Sequence, residues 1–101
     1  MRMLMNVQFP LEPFNTAVRD GTLGRKIQRI LEVTKPDSVY FTEQDGKRGA
    51  TMVVEVKDPS EIPTLAEPWF LTFNAATQFR IAITPQELGR AKLEELGEQW
   101  E

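Results

Sequence analysis

Four stretches of this chain alternate apolar and polar residues, and a period of two marks a strand with one dry side and one wetter side. In the first stretch Met3, Met5, Val7 and Phe9 point one way, against Leu4, Asn6 and Gln8. Val39 and Phe41 alternate with Ser38, Tyr40 and Thr42 in the second. The third sets Ala50, Met52, Val54 and Val56 against Thr51, Val53 and Glu55, and the fourth sets Phe79, Ile81 and Ile83 against Gln78, Arg80 and Ala82. Strands are therefore expected over 2–9, 38–43, 50–57 and 77–84. A slip of one residue would turn a whole apolar set to the other side, so the pattern dictates which face of a sheet is buried.

What joins the strands decides their order. Asp45-Gly46, between the second and third, is a two-residue hairpin signal. From Phe14 to Val33, Ala17, Val18, Leu23, Ile27, Ile30 and Leu31 recur at helical spacing, while Asp20-Gly21 and Gly24 predict a kinked helix or two short ones. Asp58-Pro59-Ser60-Glu61 reads as an N-cap, a proline and an acid three residues after the cap. The helix it opens contains Pro63 and Pro68 and is expected to be short and irregular. Thr84-Pro85-Gln86-Glu87 is a second capping box, opening a C-terminal helix through Leu88, Leu93, Leu96 and Trp100. The expectation is one α+β domain over 1–101, ordered β-α-β-β-α-β plus a C-terminal helix. This is the ferredoxin-like pattern, a four-stranded antiparallel sheet in the order 4-1-3-2 with both helices on one face.

Composition narrows function mainly by what is missing. The chain has no Cys and no His, which removes thiol nucleophiles, disulfides, zinc sites of the usual kind, His-ligated haem and every Ser/His/Asp arrangement. No metal and no cofactor is expected, and proton transfer falls to carboxylates, Lys or Tyr. A formal charge of −3 gives nucleic acid no attraction. An RNA-recognition module shares the element order but needs aromatics on the open face of its first and third strands, where this chain offers Asn6, Gln8, Thr51, Val53 and Glu55. No apolar run approaches the roughly 18 residues that span a bilayer. Met1-Arg2-Met3-Leu4-Met5-Asn6 lacks the sustained apolar stretch of a signal peptide, so a cytoplasmic protein is expected.

The second face of the sheet reads Leu4, Asn6, Gln8, Tyr40, Thr42, Thr51, Val53, Glu55, Gln78, Arg80 and Ala82, neither a charged solvent face nor a dry core. Arg80, Asn6 and Glu55 are expected in one row across it, an arginine bridged to a carboxylate through an amide. A second copy of the chain is the expected cover, through Asn6, Gln8, Tyr40, Glu55 and Arg80. In its strand pattern, short second helix and half-polar face, the chain resembles the dimeric α/β-barrel superfamily, in particular small bacterial proteins of that class. The resemblance implies a homodimer whose two sheets close a barrel with the helices outside. Relatives include small monooxygenases, muconolactone-type isomerases and haem-degrading enzymes. Members that use a His cannot lend their chemistry to a chain without one.

Two clusters are candidates for ligand binding. In Glu67-Pro68-Trp69-Phe70-Leu71-Thr72-Phe73 the aromatics Trp69, Phe70 and Phe73 are suited to wall a pocket, with a desolvated Glu67 shuttling protons. The alternative is that they plug the core or pack on the dimer partner. Tyr40 with Arg48 or Arg80 is suited to an anionic or phenolic ligand, unless these residues belong to the sheet interface and the hairpin. Arg19, Arg25, Lys26 and Arg29 form a basic helix surface. Gly21-Thr22-Leu23-Gly24-Arg25-Lys26 has too short a spacing for a phosphate loop and reads as solvated helix. The resulting reading is a small homodimer that binds a small apolar or anionic ligand. The alternatives are a cofactor-independent isomerase or monooxygenase on an apolar or aromatic substrate, or a structural dimer module.

Overall fold

The computed structural model describes residues 1–101. Strands β1 (Arg2–Gln8), β2 (Ser38–Gln44), β3 (Lys47–Glu55) and β4 (Ala76–Ile81) form one antiparallel sheet in the order β2-β3-β1-β4. Read from the other edge this is 4-1-3-2, the order the connections predicted. Between β1 and β2 lie α1 (Phe14–Asp20) and α2 (Leu23–Thr34); α3 (Glu61–Phe73) joins β3 to β4. Helices α4 (Pro85–Arg90) and α5 (Leu93–Gln99) follow β4.

Local chemistry explains most of the boundaries. The β2–β3 hairpin turns at Asp45 and Gly46, whose φ angles of 53° and 77° are the left-handed pair that a primed turn demands. The Glu43 carboxylate accepts the Gly46 N–H at 2.7 Å and holds the turn closed. Gly21, at φ 79°, ends α1 and divides the first helical segment into two short helices. Thr84 and Glu87 form the expected reciprocal capping box at the start of α4.

The second crossover helix departs from expectation. It is 13 residues long, the longest in the chain, with Pro68 inside it. Pro63 falls in the first turn, where its missing N–H would have had no helical partner. Pro68 does forfeit a helical bond, but Leu65, Ala66, Trp69 and Phe73 are buried on one side and carry the helix past it. Its entry also differs. Asp58 accepts the Ser60 N–H at 2.9 Å, and Glu61 accepts the N–H groups of Lys57 and Asp58 at 2.7 and 2.8 Å. The capping residues thus close a turn, and the helix begins two residues later with Ser60 as a cap lacking a side-chain bond.

The core lies between the helices and the alternating apolar face. Phe9 stands at its centre, edge-on to Phe14 at 5.1 Å, Phe73 at 5.4 Å and Trp69 at 5.7 Å between ring centroids. Beneath these rings Met5, Val7, Met52, Val54 and Val56 are fully buried. Coverage stops short of the sheet's margins. Phe41, Ile81 and Ile83, expected under the helices, are 49%, 63% and 58% exposed, because the helices lie over the central strands.

Beyond β4 the chain leaves the body. β4 ends at Ile81 rather than at Thr84, and the last link to the sheet is the Ala82 N–H donated to the Arg2 carbonyl at 3.0 Å. The single C-terminal helix that was expected is two helices, broken at Lys92 with φ 55°. Every residue from Pro85 to Glu101 is exposed. An isolated helix of this length is marginal without packing beneath it, which accounts for the break. The arm stretches the molecule to 60 × 29 × 19 Å and raises its radius of gyration to 17.3 Å, against about 13 Å for a compact chain of this length. The hydrophobic core draws only on residues Met3 to Phe79.

Candidate functional site

Strand register determines which side chains meet on the uncovered face of the sheet. One row runs Tyr40, Thr51, Asn6, Gln78, and the next runs Ser38, Val53, Leu4, Arg80. The Thr51 hydroxyl donates to the Asn6 carbonyl oxygen at 2.9 Å, closing a cross-strand polar pair. Leu4 and Val53 beside it are half-buried and apolar. Asn6, Gln8, Gln44 and Gln78 border a small polar hollow of about 140 Å³ at one end of the face.

This register overturns the expected row of Arg80, Asn6 and Glu55. Arg80 stands opposite Leu4, Asn6 opposite Thr51 and Gln78, and Glu55 opposite Arg2, so the three occupy successive rows. Glu55 pairs instead with the α-amino group of Met1 at 2.6 Å. That hydrogen bond, with its positive charge, holds the Glu55 carboxyl below its ordinary range. Glu12, Asp20, Asp58 and Glu87 move the same way. The leading causes are hydrogen bonds from Thr16, Thr22 and Ser60 side chains and from the Thr84 backbone N–H, respectively. These are exposed carboxylates at turns and helix starts, whose displacement is accounted for by local structure.

The six residues singled out for ligand binding are dispersed. Trp69 and Phe73 are wholly buried in the core, and the Trp69 indole N–H has no hydrogen-bond partner. Phe70 is 37% exposed on the outer side of α3. Glu67 is exposed, so the desolvation expected to suit it for proton shuttling is missing. It lies on the helical layer, with the sheet between it and Tyr40 and Arg80. Those two stand on opposite edge strands, about 14 Å apart by strand spacing alone. No cavity is shared by all six. Arg48 is also engaged elsewhere: its guanidinium lies 4.3 Å from the Phe14 ring centroid and donates to the Asn15 carbonyl oxygen at 2.7 Å.

The largest cleft lies between α2 and α3, about 500 Å³, lined by Lys26, Arg29, Ile30 and Val33 on one side and Pro68, Leu71 and Thr72 on the other. Its α2 wall is one stripe at i, i+3, i+4 and i+7, of which Lys26 and Arg29 read in the sequence as solvated surface and Ile30 as part of the apolar helical pattern. The cleft is basic along one wall and apolar along its floor. Leu71, 79% exposed, and Val33, 66% exposed, have no cover from the chain itself. Its size falls within the range of small-molecule sites, roughly 300–1,000 Å³.

No family model matches the chain, and no curated protein matches it. Among solved structures it is similar to the de novo designed protein Ferredog-Diesel, at 9% identity and a TM-score of 0.46, covering 80% of this chain and 85% of that one.

Proposed function

We propose that the protein is a homodimeric, non-catalytic interaction module of ferredoxin-like, dimeric α/β-barrel type, in which the uncovered faces of two sheets pack together. One observation carries this reading. The face centres on half-buried Leu4 and Val53, has its Thr51–Asn6 pair already satisfied, carries Tyr40 70% exposed, and has helices only on its other side. Apolar area beside a satisfied polar pair and an exposed tyrosine is the composition of a protein interface. The strand order β4-β1-β3-β2 and the confinement of helices to one side support the same architecture.

The dispersal of Glu67, Tyr40 and Arg80 takes the physical basis from an isomerase or monooxygenase built on them. Sedimentation velocity at micromolar concentration tests the module. The wild-type chain is expected to sediment as a dimer and the Leu4→Arg variant to associate much more weakly, because a guanidinium at the centre of the interface would be buried without a partner. A wild-type monomer across the accessible concentration range would remove the reading.

A further inference from the structure

The arm is everything the body is not. Residues 82–101 hold five glutamates against Arg90 and Lys92, so the arm accounts for the whole formal charge of −3 and residues 1–81 are neutral. Leu93 and Leu96 of α5 and Trp100 at its end recur at i, i+3 and i+7, 52%, 43% and 80% exposed. At 100° per residue these three share a face, Glu94 and Glu95 fall on the two sides of that face and Glu98 falls behind it. This is an apolar strip with an acidic border.

The α2–α3 cleft presents the complement. Lys26 and Arg29 form its one charged wall, and Ile30, Val33, Pro68 and Leu71 its apolar floor. We infer that this cleft is the docking site for the acidic arm of a second copy of the chain, with Leu93, Leu96 and Trp100 on the floor and the bordering carboxylates of Glu94 and Glu95 in the field of Lys26 and Arg29. The arm is acidic and the only charged wall of the cleft is basic, so the two surfaces attract. The occupant is a second copy because of how the arm departs. The Ala82–Arg2 hydrogen bond and the Thr84 capping box set its exit from the end of the sheet, and the 60 Å length of the molecule measures its course away from the body. Reaching its own cleft would require a reversal across Ile83, between two fixed points. Reciprocal exchange between two copies fills both clefts and closes the assembly. This contact is separate from the uncovered sheet face and does not depend on it.

The test uses full-length chains in sedimentation velocity, in the wild-type and Leu4→Arg backgrounds. Leu96→Glu alters an exposed side chain outside the hydrophobic core and leaves the fold alone. It is expected to weaken self-association by about thirtyfold, as loss of an interface anchor does. Lys26→Glu with Arg29→Glu, or Glu94→Lys with Glu95→Lys, is expected to weaken it about threefold to tenfold at low salt, with the difference fading in high salt. Combining the two reversals in one chain is expected to restore it. Association unchanged by Leu96→Glu, or not restored by the combined reversal, would overturn the proposal. So would a Trp100 fluorescence response to the cleft substitutions that is independent of protein concentration, since that places the arm in its own cleft. The Leu4→Arg background separates this outcome from failure of the sheet interface.

Discussion

Helix α3 and the arm of α4 and α5 have opposite credentials. The local code of α3 is poor, with a side chain that fails to cap, one proline in its first turn and another in its interior, yet it is the longest helix and lies against the core. The arm opens on a complete capping box with proline at the first position, yet breaks at Lys92 and has no buried residue. Caps and propensities contribute about 1 kcal/mol apiece, whereas burying aromatic rings contributes several. What a helix packs on outweighs how well it is written.

The contrast is broken most severely at Trp69. Trp69→Ala is expected to destabilise the fold by about 3–5 kcal/mol, the range for removing a buried aromatic, read as a lower denaturant midpoint with little change in slope. Should the loss stay below about 1 kcal/mol, packing would not be what carries α3 past its proline. Pro68→Ala sharpens the comparison from the other side. It restores the N–H that the helix lacks and is expected to raise stability by about 1–3 kcal/mol; a neutral result would mean that the bend at Pro68 is needed to seat Trp69 and Phe73.

Effects in the arm should be smaller and should not spread. Thr84→Ala is expected to remove about 1 kcal/mol from α4, visible as reduced helical ellipticity, while the global midpoint moves by less than about 0.5 kcal/mol equivalent. A large global shift would show the arm docked on its own body. The smallest effect is the titration of Glu87. Its carboxyl is held below the ordinary 4.5, first by the Thr84 backbone N–H and then by the Thr84 side chain. Because the folded value is depressed, the cap is fully present above pH 4.5 and is lost as pH falls through the lower folded value. The Thr84 and Glu87 amide resonances should report that loss over this acidic window, and Glu87→Gln should abolish it.

How far the sequence could be read follows from the same physics. Alternation at Met3 to Phe9 and at Ala50 to Val56 identified the buried face residue by residue, because a period-two pattern has only two phases. Asp45-Gly46 and Thr84-Pro85-Gln86-Glu87 identified their turn and cap, because both depend on neighbours in the chain. The candidate site was poorly legible. Glu67, Trp69, Phe70 and Phe73 are close in sequence but point to different sides of one helix, and whether an aromatic lines a pocket or fills a core depends on what lies opposite. Lys26 and Arg29 read only as a solvated basic surface, and Val33 and Leu71 carry no role in the sequence reading, because two helices make that cleft together and neither stripe means anything alone.

By itself, then, the sequence determined the strands, their faces, the hairpin and the strand order, all consequences of local periodicity and of connection length. Only the tertiary structure decided that α3 survives Pro68, that Arg80, Asn6 and Glu55 stand in separate rows, and that the arm lies clear of the body. Each of those turns on register or packing between segments distant in the chain, where burial energies exceed local preferences.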